Sequence, residues 1–215
     1  TLKLSLIGMI LSTIIGVPLG MLAAGKQYSP LDTIPSLISF FLAAIPAFVL
    51  GMVLLFVFSL NFNILPSYGL DTWKSYIMPS LTMAIPIAAI NIRFTKSSML
   101  ESIREDFIRT ARAKGASEKV VIWRHALKNA MLPVITNIGL NLGGLIMGSV
   151  VAEQLFSVPG IGQLIVSRIQ YKDEPVIIAG TILIAVTFTV IMLIVDLIYA
   201  YIDPRIKAKY VRAKA

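Results

Sequence analysis

Three sets of residues carry types and spacings that could do chemistry. Residues 20–27, GMLAAGKQ, nearly match the phosphate-binding pattern G-x-x-x-x-G-K-[ST], whose backbone amides cradle phosphates and whose hydroxyl holds Mg²⁺. Gln27 stands where that hydroxyl is needed, and no strand-like run precedes it. The match is read as a coincidence of spacing. His125 is the only histidine, and its neighbours Arg124 and Lys128 would repel a cation. It reads as a structural residue on a helix. With no cysteine there is no disulfide, thiolate metal site or cysteine nucleophile. No nucleophile–base pair or ligand cluster is found, so catalytic and metal residues are expected to be none. The third set is polar and lies inside apolar runs: Asn91, Asn137, Asn141, Ser149 and Asp196.

The elements that must position these residues follow from composition. The chain is 57% hydrophobic and 14% charged, with mean hydropathy +0.84, whereas soluble domains are about 25% charged. It reads as an integral membrane protein, all-α, a polytopic bundle of transmembrane helices. A span needs roughly 20 mostly apolar residues. Five runs qualify: Leu2–Ala24, Ile34–Leu60, Ile77–Thr95 (interrupted by Pro79 and Pro86), Met131–Ala152 and Val176–Tyr201. If residues 25–33, 93–130 and 202–215 share one side, that side holds fifteen Lys and Arg against four. The positive-inside bias then makes it cytoplasmic. The alternation requires Thr1 to start outside, which suits a further span upstream. Outside, residues 61–76 are turn-rich with Trp73 and Tyr76 at a boundary, and 153–175 reads as a short helix or re-entrant piece after Pro159-Gly160.

Polar residues inside a membrane are costly and are functional candidates. Asn137 and Asn141 lie four apart on one face, either lining a path or bonding between helices. Ser149 follows on the same span, and Gly139-x-x-x-Gly143 and Gly144-x-x-x-Gly148 suit close packing. Asn91 and Arg93 are expected at the cytoplasmic mouth of the third span. Asp196 is expected to pair with a nearby Arg or Lys. No further intramembrane acid accompanies it, which argues against a proton relay and a cation channel.

The most informative stretch is FIRTARAKGASEKVVIWRHALK, residues 107–128. Glu105 and Asp106 begin a helix and Arg112 and Lys114 end it, as the helix dipole favours. Gly115 is placed for a left-handed cap. Ser117 is a candidate N-cap for a second helix over 118–130. Phe107 and Ala111 share a face, flanked by Arg109 and Arg112, shaped to enter a groove on a partner. A DNA-binding helix-turn-helix is the rival reading, but both ends run into membrane spans and no third helix supplies a core, so no nucleic acid is expected.

Here the sequence resembles a known family. The membrane subunits of ATP-binding-cassette (ABC) importers carry a cytoplasmic loop patterned Glu-Ala-Ala, three residues, Gly, nine residues, Ile-x-Leu-Pro. Arg109-Thr110-Ala111, Gly115 and His125-Ala126-Leu127-Lys128 match the spacing with altered chemistry. RTARAKG, RHALKNAMLP, GSVVAEQLFSVPGIGQL and DLIYAYIDPRIK resemble the peptide and nickel branch. The resemblance implies a type I importer permease domain over 1–207, with a coupling loop at 101–130 and a cytoplasmic tail at 208–215. The coupling residues would be Glu105, Phe107, Arg109, Thr110, Ala111, Arg112, Lys114 and Gly115. It also implies a second homologous permease, two ATPase subunits holding ATP and Mg²⁺, an extracytoplasmic solute-binding protein and a prokaryotic plasma membrane. The chain itself would bind no cofactor. The solute would be a di- or oligopeptide, with nickel or a nickel chelate as the alternative. An ATP-independent channel or scaffold is the reading from another class.

Overall fold

The computed structural model describes residues 1–202, apart from the side chains of Tyr199 and Ile202. The expected tail 208–215 and the basic residues from Arg205 onward lie outside the described residues. All the regular elements described are helices: α1 (Leu2–Gly25), α2 (Pro30–Ala44), α3 (Ala47–Leu54), α4 (Ile77–Arg104), α5 (Asp106–Ala113), α6 (Glu118–Val120), α7 (Leu127–Leu155), α8 (Ile161–Gln170) and α9 (Glu174–Ile202). Wider π-helical turns extend α3 over Leu55–Asn61 and join α6 to α7 over Val121–Ala126, and a 3₁₀ turn at Trp73–Tyr76 leads into α4.

The expected second span, Ile34–Leu60, is not one helix. It breaks at Ile45-Pro46, where α2 and α3 meet at 101°. Proline disfavours the helical region for the residue before it, and Ile45 sits extended at φ −78°, ψ 123°. Pro18, Pro86 and Pro133 instead stay inside α1, α4 and α7. Pro79 lies in the first turn of α4, where no helical N–H is required. So the expected interruption of the third span does not occur, and α4 runs past Thr95 to Arg104. Among the described residues, four helices are long and apolar enough to cross a bilayer, or up to five if the bent pair counts as one.

The bundle centres on α4, with α1 and α7 against it. The α1 backbone reaches α4 because Gly16 and Gly20 have no side chain. A Cβ at residue 16 would lie 2.6 Å from Asn91 Cβ, and one at residue 20 would lie 2.6 Å from the Ile92 carbonyl. Leu4, Leu50, Leu54, Met78, Met83 and Leu145 fill the core between α1, α3, α4 and α7. α2 is tied to α4 by an ion pair between Lys96 and Asp32, by a bond from Lys96 Nζ to Ser36 Oγ at 3.1 Å, and by Arg93 over the Phe40 ring at 5.2 Å. α9 meets α7 where Val195 and Phe188 press on Gly139 and Gly143, whereas Gly144 and Gly148 face open space. Only the first glycine pair therefore does the packing expected of both. The outer faces of α2, α3 and α9 are apolar and exposed, as hydrocarbon rather than water requires.

The close α1–α4 approach gives a stability test. Gly16→Val should destabilise the detergent-extracted chain by about 1–3 kcal/mol, the usual range for overpacking. Gly144→Ala should be neutral. Thermal unfolding of both variants checks the contrast.

Candidate functional site

The basic segment folds as a hairpin hung beneath α4 and α7. Glu105 ends α4 with an extended ψ of 152°, and α5 starts at once. Its end is a Schellman turn: the Gly115 N–H donates to the Arg112 carbonyl at 2.9 Å and the Ala116 N–H to the Ala111 carbonyl at 3.2 Å. Gly115 has φ +81° with no atom within 4 Å of its would-be Cβ. The backbone torsion, not crowding, therefore selects glycine there. Arg112 grips Glu118 across the turn with two bonds, Nε–Oε1 at 2.7 Å and Nη2–Oε2 at 3.2 Å. The hydrogen bonding raises the already high pKa of the Arg112 guanidinium. The pair is solvent-exposed, so it sets the turn's geometry more than its stability.

The second helix of the hairpin differs from expectation. Ser117 occupies the N-cap position but its side chain makes no capping bond. The helix does begin at Glu118, but α6 widens into the π-helical turn before it runs on as α7. Ser98 and Ser102 of α4 donate to the Ala130 and Ala126 carbonyls at 2.9 Å each. Two hydroxyls thus bind α4 to the root of α7 where the helical ladder changes pitch.

α5 has one covered and one exposed side. Ile108 and Ala111 point inward onto Val121 and Ala126, whereas Phe107 is 40% exposed. Phe107 and Ala111 do share a face: both line a shallow cleft of about 240 Å³, with Thr110, Lys114, Ala116 and His125, Phe107 exposed and Ala111 nearly buried. Glu105, Asp106, Arg109, Thr110, Arg112 and Lys114 are exposed. Besides the Arg112–Glu118 pair, a weaker one, Arg109 Nη1 to Asp106 Oδ1 at 3.5 Å, ties charges here.

The intramembrane polar residues divide into two groups. Asn91 is 1% exposed and sits midway along α4, which continues to Arg104. Its Oδ1 accepts from Asn137 Nδ2 and from Asn141 Nδ2, both at 3.1 Å, and its Nδ2 donates to the Ser12 carbonyl at 3.4 Å. One amide thus joins α1, α4 and α7. Ser149 lies elsewhere, bonding the Ile146 carbonyl at 2.9 Å and Glu153 Oε1 at 3.1 Å.

Glu153 was missed in the sequence reading. Its fully buried carboxylate also accepts from Thr1 Oγ1 at 2.6 Å and from the Gln163 N–H at 3.0 Å, at the start of α8. A Cβ on Gly160 or Gly162 would collide with it. An acid closing an apolar run, followed by Pro-Gly-x-Gly, was the available signal. The run Gly20–Gly25 is helical, so it cannot form a phosphate-binding loop. Asp196 is exposed on α9, and the basic residues 205 and 207, its expected partners, lie outside the described residues.

Residues 16–208 match the family model for the inner membrane component of binding-protein-dependent transport systems. The chain belongs to that family. It is a permease subunit of an ABC importer, of a kind that is not itself catalytic. The glutathione transport system permease protein GsiC of Escherichia coli K12 is 43% identical over 209 residues, 97% of this chain and 68% of GsiC. GsiC of Salmonella choleraesuis is 42% identical over the same length. Among solved structures, an inward-facing MetNI methionine ABC transporter superposes with TM-score 0.76 at 18% identity, covering 94% of this permease and 92% of that chain. An amino acid ABC transporter crystallised with histidines gives 0.64 at 16%, covering 95% and 89%. At such identities these two establish the fold.

Three variants test the permease's site geometry. Gly115→Asn should preserve the hairpin because asparagine tolerates left-handed backbone, whereas Gly115→Val should destabilise it locally by about 1–2 kcal/mol. Hydrogen exchange over 106–126 reads the difference. Asn91→Leu strands two amide donors and should lower stability by roughly 0.6–2 kcal/mol, the range for interhelical polar bonds in membranes. Unfolding in detergent measures it.

Proposed function

We propose that this permease carries a short peptide across a prokaryotic inner membrane and that α5 is the element through which separate ATPase subunits drive it. The observation that carries the reading is mechanical. α5 is a stiff two-turn helix whose inner face is packed on the root of α7 and whose outer face is basic and unoccupied. A push on that face reaches α7 through Val121 and Ala126, and α4 through Ser98 and Ser102. Such a lever suits a rigid-body switch between inward-open and outward-open states. A passive pore has no use for it.

The positive-inside count supports a cytoplasmic α5. In this reading the chain works with a second permease, two ATPases holding ATP and Mg²⁺, and an external solute-binding protein. The peptide assignment draws on motif wording and on GsiC, whose named solute, glutathione, is a tripeptide. Asn137 and Asn141 donate to Asn91, which leaves their own carbonyl oxygens for a passing N–H donor; they and Asn91 are the proposed polar station of the path, with Ser149 further along.

The test is mild-detergent extraction of the tagged chain, with mass spectrometry of its partners and assays of ATPase activity and uptake. A partner bearing a true phosphate-binding loop is expected, with ATP hydrolysis stimulated by a loaded binding protein. Gly115→Val should keep ATP hydrolysis while uptake falls roughly tenfold, within the span of coupling mutations. A chain that reproducibly comes out alone, or normal uptake by Gly115→Val, would overturn the assignment of α5.

A further inference from the structure

A groove on the α1–α4 face plays no part in the reading above. Ile7 and Leu11 form one wall; Tyr76, Ser80 and Leu81 form the other, with Trp73 at the end where α4 begins. Its volume is about 280 Å³. Lys3 lies one helical turn before Ile7, so it stands at the same end as Trp73. The Lys3 Nζ donates to Tyr76 Oη at 3.0 Å and sits 4.4 Å from the Tyr76 ring centroid. Lys3 makes no ion pair among the described residues. An ammonium has three donors, so two are left for an anion. In the groove wall the Ser80 hydroxyl is buried without a hydrogen-bond partner. Trp73, in the lining of the groove, is 73% exposed, as aromatic side chains are at headgroup level.

We propose that this groove binds a single anionic phospholipid, with its phosphate held by Lys3 between Trp73 and Tyr76 and one acyl chain lying along Ile7 and Leu11. The dimensions agree. From Lys3 to Leu11 the helix rises about 12 Å at its usual pitch, and one leaflet contributes roughly 15 Å of hydrocarbon. The charge agrees as well. A zwitterionic headgroup would bring its own cation next to Lys3. A protein helix seated here would bury that ammonium with no counter-charge, which is expensive. The proposal needs only a membrane location, so it stands or falls separately from the transport reading.

The experiment is native mass spectrometry of the detergent-extracted chain, with whatever subunits accompany it, titrated with dioleoyl phosphatidylglycerol or dioleoyl phosphatidylcholine. Phosphatidylglycerol adducts should persist at roughly fivefold lower lipid, the worth of about one lysine near an anionic headgroup. Lys3→Gln should erase that preference and Lys3→Arg should keep it. Leu11→Trp, which fills the groove and leaves Lys3 in place, should weaken both adducts. Equal retention of the two lipids by the unaltered chain would overturn the proposal. So would an unchanged preference in Lys3→Gln or unchanged adducts in Leu11→Trp. A photo-crosslinker at position 11 that captures a protein chain instead of lipid would overturn it too.

Discussion

Hydrocarbon offers no hydrogen bonds, so every polar group within the membrane must be satisfied by the protein itself. The bundle is organised around that constraint. Asn91 on α4 is the clearest case: its single side-chain amide serves Ser12 on α1 and Asn137 and Asn141 on α7. Such a junction exists only if three backbones come close together. Gly16 permits this on the α1 side, where even one added carbon would press on Asn91. Ser98 and Ser102 meet the same need lower down, by binding carbonyls at the root of α7. Asn91, Ser98 and Ser102 are therefore joints between helices.

A joint that satisfies a helix also transmits movement of that helix. α5 packs on the π-helical turn through Ile108 and Ala111, and the same turn continues into α7 without a break. π-helical turns recur at functional positions in helices, and here one lies between the exposed hairpin and the Asn91 junction. At the opposite end Glu153 links the end of α7, the start of α8 and Thr1. Long helices with satisfied ends behave as rods, and those rods are what a rigid-body switch would move.

The break at Ile45-Pro46 shows how tertiary context selects among prolines. Pro18, Pro86 and Pro133 each sit within an uninterrupted helix, yet Pro46 divides two helices at 101°. The local chemistry is alike. The difference is that α3 must turn to pack Leu50 and Leu54 into the core against Met78 and Met83, while α2 is held to α4 by Lys96 and Asp32.

Much of this was legible in the amino-acid order. Apolar runs of bilayer length located four of the five spans, because length and hydropathy are local properties. Gly115 could be placed at a left-handed cap because a Schellman turn is built from neighbours in sequence. The spacing around Arg109–Gly115 likewise carried the family. What the order could not decide was which faces meet. Phe107 and Ala111, one turn apart, do line one cleft, but the order could not show that Ala111 is covered by Val121 while Phe107 stays exposed. The order did not show what Asn91 bonds to, and Glu153 fell in the external segment 153–175 without a role. Both are buried because distant helices supply their partners. Local pattern determines that a helix forms and roughly where it ends. Its rotation about its own axis, and so the partners of each polar group, is decided only when all the helices compete for the same buried surface.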